Sequence, residues 1–412
     1  MTRKLRKKVF FAAGHTTVFM GSGRPEFRPK QPMPTFETYL RETAQGTLAQ
    51  IPNPEFDEGV IANFMAGRFL KQGNLPGFLP FAVPGLKGKP CLRVEGACGS
   101  GGLGLVAAAK SILADMADSV FVAGFEIQNV LKAVYGADVL AGAGYIHGDR
   151  KHGHAYFFPG LFSDRAGAYG ERYGRELARR GMAKWFEHSI ENARRHPKAQ
   201  EYHNQVPDLF AQGMTPPDGR KFVSHLNLFD CSKVSDGAAS VVAASEEGLK
   251  KLGIRKEDAV ELAGFQGSEG DITEHPQDLT LLENTGLAAR GAMEMAGIAK
   301  GALGMLELHD CFSITGLLAL ESIGFAPPGG APGFVLEGRT APDAQLPTNL
   351  SGGLGGFGHP VGATGIRQMV DLLQQMTGKS PNPVVLHRDH GMMVSMGGND
   401  KTVTALVVRR AV

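Results

Sequence analysis

The sequence predicts an α/β protein of two similar halves, with a looped lobe inserted in the first. Three observations carry that prediction. Strand–turn–helix–strand order is written over residues 90–125, and a strand and helix pattern starts again from Val260. Residues 126–230 between them hold most of the Tyr and His, many Arg and glycines, and little strand pattern. The chain is 412 residues long, too long for one ordinary core. The expected division is 1–125 with 231–255 for the N-terminal half, 126–230 for the lobe and 256–412 for the C-terminal half. The halves share no short repeat, so their likeness rests on element order.

The elements follow in order. Val9-Phe10-Phe11-Ala12-Ala13 reads as a first buried strand; the polar Gly14-His15-Thr16-Thr17 after it makes the run too short for a signal peptide or membrane span. Residues 91–95 read as a strand, Gly96 to Gly102 as a tight turn, 103–116 as an Ala/Leu-rich helix and 119–124 as a second buried strand. The lobe carries a long helical stretch around 165–195, and strand character returns at 238–244. Further on, 261–266 is strand-like, 287–295 helical and 304–309 a strand. Residues 315–322 and 365–375 are helical, and 383–387 and 402–409 are strands.

Composition narrows the function. A hydrophobic fraction of 42% and a charged fraction of 20% belong to a soluble globular protein. A net charge of +2 excludes a large nucleic-acid footprint but leaves room for a small anion such as a nucleotide diphosphate. Cys91, Cys98, Cys231 and Cys311 show no C-x-x-C spacing, so they read neither as a disulfide framework nor as a zinc site. Reduced thiols, and an Arg409-Arg410-Ala411-Val412 end that is no peroxisomal address, place the protein in the cytoplasm.

Several segments could carry chemistry. Cys98 lies in a glycine-rich strand-to-helix turn, where the helix dipole favours thiolate and glycines let a carbonyl approach backbone N–H groups. A small core cysteine is an equal reading on local sequence. Residues 349–360 hold five glycines and end in His359-Pro360. That imidazole could take a proton from a thiol, or the loop could cradle phosphate. His309 and Cys311 sit two apart at a strand end, able to face one pocket, although a buried Cys beside a capping Asp310 is the simpler reading. His147, Asp149, His152 and His154 form a polar cluster that reads better as a solvated loop than as a metal site. A dinucleotide-dependent dehydrogenase is disfavoured, because residues 99–104 supply only glycines of the G-x-G-x-x-G fingerprint.

Together these pieces resemble the thiolase superfamily. Val94-Glu95-Gly96-Ala97-Cys98-Gly99-Ser100-Gly101 is similar to its nucleophile motif, and Asp230-Cys231-Ser232-Lys233-Val234-Ser235-Asp236-Gly237-Ala238-Ala239 to the segment closing its inserted lobe. Gly358-His359-Pro360-Val361-Gly362-Ala363-Thr364-Gly365 is similar to its catalytic-histidine motif. All three stand in family order across nearly the whole chain. His309-Asp310-Cys311-Phe312 stands where other thiolases carry Asn-Glu-Ala-Phe, and Ser395-Met396-Gly397 where most carry Cys-x-Gly with a second catalytic cysteine. Both features resemble the sterol-carrier-protein-type branch.

The resemblance implies a five-layered αβαβα fold and cleavage of a 3-oxoacyl-CoA by CoA, or the reverse Claisen condensation. It implies Cys98 as nucleophile, His359 as its base and Cys311 as the acid/base on carbon. His309 with His359 would form one oxyanion hole, and the backbone N–H groups of Cys98 and Gly397 the other. Coenzyme A would be co-substrate, with no covalently bound cofactor and no metal. A homodimer or larger is expected, with a small zinc-containing OB-fold protein as a further partner, and neither nucleic acid nor membrane. Gly99 departs from the usual Ala, and Gly124-Phe125-Glu126-Ile127-Gln128 from the Gly-x-Glu-x-Met signature. Phe157-Phe158-Pro159-Gly160-Leu161-Phe162 matches no family segment; it could line a pocket for an aromatic acyl group, as in benzoylsuccinyl-CoA, or be a plain packed loop. The competing reading is a non-catalytic thiolase-like subunit that binds acyl-CoA or scaffolds a complex.

Overall fold

The computed structural model describes residues 4–149 and 156–411. Its strands are β1 (Phe10–Thr16), β2 (Glu58–Ala62), β3 (Cys91–Val94), β4 (Ser119–Glu126), β5 (Gly237–Ala244), β6 (Ala259–Glu269), β7 (Leu303–Glu307), β8 (His390–Gly397) and β9 (Thr402–Arg410). They hydrogen-bond in the order β3-β2-β4-β5-β1-β6-β9-β8-β7. β2 runs parallel to β3 and β4, and β7 parallel to β8; the other pairings are antiparallel. β1 joins the halves, pairing with β5 along its length and with β6 only through Phe10, Phe11 and Ala12.

The longer helices are α1 (Phe36–Leu48), α2 (Ser100–Leu113), α3 (Phe157–Tyr173), α4 (Arg175–Ala193), α5 (Glu283–Ala296), α6 (Ser313–Ile323) and α7 (Thr364–Met376). Side-chain alternation along the strands sorts them into layers. Phe10, Ile61, Phe121 and Val242 face Tyr39 and Leu40 of α1 on one outer side. Val60, Val122 and Val241, with Met305, Met393 and Leu406 of the other half, enclose Leu105 and Ile112 of α2 and Ile366 and Met369 of α7. Met392, Val394 and Val407 face Ala288 of α5 and Leu317 of α6 on the other outer side. The result is the five-layered αβαβα arrangement that the resemblance implied. β4 and β5 are buried at every position because helices cover both faces, which explains their unbroken apolar runs.

The central helices decide where chemistry can happen. A Cβ on Gly101 would lie 2.7 Å from the Gly365 nitrogen, and one on Gly365 2.3 Å from the Gly102 nitrogen. The heads of α2 and α7 thus meet backbone to backbone, which only glycine allows. The residues just before each head, Cys98 and His359, are thereby brought together.

Three elements differ from expectation. Residues 383–387 are not a strand; Pro381 and Pro383 remove ladder donors, and pairing begins only at His390. The helical stretch 165–195 is two helices, broken by Gly174 at φ +109°. α1 and β2 lie in a region for which the sequence suggested no element. Among the described residues, no helix is long and apolar enough to cross a membrane.

Candidate active site

The Cys98 turn is held by its own neighbours. Ala97 sits at φ +52°, reversing the chain before the sulfur. The Ser100 hydroxyl donates to the Ala97 carbonyl at 2.6 Å and accepts from the Gly96 N–H at 3.1 Å. The Ala97 N–H donates to the Glu95 carboxylate at 2.6 Å. Cys98 is half-buried at this turn.

Two histidines meet it. His309 follows β7 by two residues, and His359 stands between Gly358, at φ +117°, and Pro360, before α7. The Cys98 sulfur and a ring nitrogen from each histidine lie within 4.8 Å of one another. The two rings pack edge to face, centroids 5.2 Å apart. One sulfur and two imidazoles are also a donor set that zinc accepts.

The hydrogen bonds fix the tautomer of His359. Thr364 donates its one hydroxyl proton to the Pro360 carbonyl at 3.0 Å. It must therefore accept from His359 Nδ1, 2.6 Å away. Nε2 is left with its lone pair and no protein partner, and both ring nitrogens of His309 are likewise free of protein partners. Burial, then the Arg367 guanidinium, holds His359 down to about 3. Burial, then His359, then Arg367, holds His309 well below its ordinary value. Both imidazoles are neutral at ordinary pH, so each can accept a proton.

The sulfur is not a resting thiolate, contrary to the expectation from its helix-head position. Burial, then the charge of Glu126, pushes the Cys98 thiol up to about 12. Only the backbone N–H groups of Gly398 and of Cys98 itself pull the other way. Desolvation thus outweighs the helix dipole, which falls off within the first turn. Glu126 is itself buried, and accepts from the N–H groups of Phe64 at 2.9 Å, Met65 at 3.1 Å and Gly362 at 3.2 Å, and from the Asn63 amide at 3.1 Å. It ties the β2 exit and the His359 loop to the end of β4.

Cys311 is buried, its sulfur 3.7 Å from the Thr315 hydroxyl. Burial pushes its thiol well up, and the Cys98 sulfur is the next cause. Asp310 is no helix cap: it accepts from the Trp185 indole at 2.9 Å and the Leu354 N–H at 2.7 Å, joining α4 to the glycine-rich loop. A Cβ on Gly356 would lie 2.3 Å from the Ser189 carbonyl, so the loop's close approach is to α4.

Gly397 ends β8 against the nucleophile turn; a Cβ there would sit 2.1 Å from the Gly96 carbonyl oxygen. The N–H of the next residue, Gly398, is one of the two influences that draw the Cys98 thiol back down against burial. Ser395 points inward between α2 and α7, buried, and its hydroxyl has no partner. His147 and Asp149 lie in the short helix Ile146–Asp149, with Asp149 3.8 Å from His275; His152 and His154 lie outside the described residues.

An apolar wall surrounds the sulfur. Cys98, Met65, Leu140 and Phe158 pack against the buried cluster of Phe64, Ala97, Ala143 and Val361. Phe158 comes from the lobe, and nearby Phe162 stacks on Phe312 with centroids 4.6 Å apart. A cleft of about 560 Å³ opens beside the nucleophile turn, with Arg93, Glu95 and Lys401 in its lining.

Sequence reasoning named Cys98, His309, Cys311, His359 and Gly397, and the fold gathers them around this turn. It missed Thr364, Glu126 and Gly398 as contributors. Each already stood inside or beside a quoted motif; Glu126 and Gly398 act on residues far off in the chain, whereas Thr364 bonds to His359 within the same motif.

Comparison with known proteins agrees with the geometry. The thiolase C-terminal domain-like family matches residues 266–410. The chain is 30% identical over 379 residues to acetyl-CoA acetyltransferase of Methanothermobacter thermautotrophicus, spanning 91% of this chain and 95% of that protein. It is 29% identical over 292 residues to benzoylsuccinyl-CoA thiolase subunit BbsB of Thauera aromatica, spanning 71% and 72%. Among solved structures, the Ltp2-ChsH2(DUF35) aldolase shares the fold with a TM-score of 0.74 at 18% identity over 99% of both chains. Human mitochondrial 3-ketoacyl-CoA thiolase in complex with CoA shares it with a TM-score of 0.70 at 17% identity over 100% of both. The chain belongs to the thiolase superfamily and is an acyl-CoA acyltransferase of that family.

Proposed function

We propose that the protein cleaves a 3-oxoacyl-CoA with CoA, or runs the reverse Claisen condensation, through an acyl-Cys98 intermediate. The observation that carries this is a ring nitrogen of His359 within 4.8 Å of the Cys98 sulfur and of a His309 nitrogen, in a ring whose Nε2 has no protein partner. A thiol as weakly acidic as Cys98 needs a base at the moment of attack, and a neutral imidazole is suited to that.

The steps balance as follows. His359 Nε2 takes the Cys98 proton, and the thiolate adds to the keto carbon. The resulting imidazolium N–H, with His309, faces the oxyanion. The C–C bond breaks, its electron pair passes into the enolate of the departing acyl-CoA, and the Cys311 thiol protonates that carbon. The thiol of a second CoA then gives its proton to the Cys311 thiolate and attacks acyl-Cys98; the shortened acyl-CoA leaves, and the His359 imidazolium returns its proton to the departing Cys98 thiolate. The Cys98 N–H, with that of Gly397 as the family pattern suggests, serves the thioester oxygen.

The wall of Phe64, Met65, Leu140 and Phe158 favours an apolar acyl group, an aromatic one such as that of benzoylsuccinyl-CoA included. Arg93 and Lys401 in the cleft favour the anionic end of CoA. Strand β3 lies at the sheet edge with Leu92 exposed, which supports a homodimer through that edge. A small zinc-containing OB-fold partner draws support from the Ltp2-ChsH2(DUF35) aldolase, whose name carries a second component. Four free cysteines suit the reducing cytoplasm.

The test is CoA-dependent cleavage across a panel of aliphatic and aromatic 3-oxoacyl-CoAs, with and without candidate partner proteins. At least one should be cleaved by the parent and none by Cys98→Ala. Failure of the whole panel, partners included, would favour the scaffold reading.

A further inference from the structure

The β8–β9 turn, residues 397–400, is the part of the site that its own sequence holds least. Gly398 sits at φ +68° and Asp400 at φ +60°. Non-glycine residues in that region persist when neighbours over-determine them. Asp400 is fixed from one side: it accepts from the Thr285 hydroxyl at 2.7 Å and from the N–H groups of Thr285 at 3.0 Å and Asn284 at 2.9 Å. Gly397 is fixed from another by the Gly96 carbonyl. Asn399 is fixed by the inserted lobe. Arg165 of α3, only 1% exposed, donates from Nε to the Asn399 side-chain oxygen at 2.6 Å. Its Nη1 donates to the carbonyls of Leu279 at 3.0 Å and Leu281 at 2.9 Å, which anchor the guanidinium independently of the turn.

We propose that Arg165 is a positioning residue for acyl transfer: bonded to Asn399, it holds the 397–400 turn so that Gly397 and its N–H stay packed against the Cys98 turn. This rests on the acyl-Cys98 reading. The inserted lobe thereby supplies a part of the catalytic geometry, rather than an acyl wall alone. A buried guanidinium is apt for the task because its planar fork serves the turn and the 279–281 segment together. Burial lowers the guanidinium to about 10, and the Asp400 carboxylate is the largest charge opposing that shift.

The experiment uses the full chain with a simple acyl-CoA as acyl donor, comparing Arg165→Met, Asn399→Ala and the double variant. Formation of acyl-Cys98 is timed by mass spectrometry, and KM and melting temperature are measured alongside. Deleting an oxyanion donor outright costs about 10²–10³-fold, so loosening this one should slow acylation by about 10–100-fold with KM changed by less than about threefold. Because both residues act through one bond, the double variant should be no slower than the slower single variant. Acylation by Asn399→Ala within about twofold of the parent, or a double loss equal to the product of the single losses, overturns the proposal. If Arg165→Met does not fold, Asn399→Ala decides alone, since it leaves Arg165 bound to the Leu279 and Leu281 carbonyls. A parent that forms no acyl-Cys98 overturns the catalytic reading and this proposal together; a parent that acylates beside unaffected variants overturns this proposal alone.

Discussion

Thr364→Val removes the acceptor that keeps the His359 proton on Nδ1. Valine fills nearly the same volume, so the perturbation is one lost hydrogen bond of 2.6 Å in a buried site. The Pro360 carbonyl that Thr364 caps is not orphaned, because it also accepts from the N–H groups of Ala363 at 3.0 Å and Thr364 at 3.1 Å. Without the threonine oxygen, the ring either keeps an unsatisfied Nδ1–H or moves its proton to Nε2, where it no longer acts as a base. Leaving a buried donor unmade costs about 1–3 kcal/mol. At about 1.4 kcal/mol per tenfold, acylation of Cys98 should slow by about 5–150-fold. The assay is single-turnover acylation by a simple acyl-CoA, with a melting curve to show that the fold survives. Parent-like acylation in a folded T364V protein would refute the assignment of His359 as the base oriented by Thr364.

Three further outcomes follow from the same geometry. Because the Cys98 thiol is pushed up to about 12, its alkylation by iodoacetamide in the free enzyme should rise steadily with pH into the alkaline range; a plateau near neutrality would reveal a preformed thiolate. Gly99→Ala places a Cβ 3.0 Å from the Thr402 carbonyl oxygen and 3.2 Å from the Gly397 nitrogen, so the melting temperature should fall by the equivalent of about 1–3 kcal/mol, and an unchanged melting curve would contradict that crowding. Cys311→Ser should lower full turnover by about 10²–10⁴-fold while acylation of Cys98 by a simple acyl-CoA changes far less. Equal loss in both assays, or loss in neither, would move the acid/base role to His309.

The strand–turn–helix around Cys98 was legible because its signals are local: an apolar strand, a glycine turn, then an Ala/Leu-rich helix. The same holds for β5, β9 and α7. The misplaced strand at 383–387 was a run of β-formers whose prolines matter only once a neighbouring ladder needs their donors. α1 and β2 went unread because their burial depends on partners remote in sequence, such as Phe121 and Val242. In the site, residue identities were legible and their electrostatics were not. A helix-head cysteine suggests thiolate; the opposing cause, Glu126 and burial, is a property of the assembled layers. The five glycines of residues 349–360 announced a close approach, but that its object is α4 is a tertiary fact. Arg165 gave no local signal at all, since its partners lie more than a hundred residues away.

The most direct test is to trap the intermediate. The parent is mixed with a cleavable 3-oxoacyl-CoA in the absence of free CoA, quenched in acid and mapped by peptide mass spectrometry. The account predicts the shortened acyl group on the peptide carrying Cys98, lost when CoA is added and absent from Cys98→Ala. Turnover with no acyl group on Cys98, or an acyl group on Cys311 in its place, would contradict it.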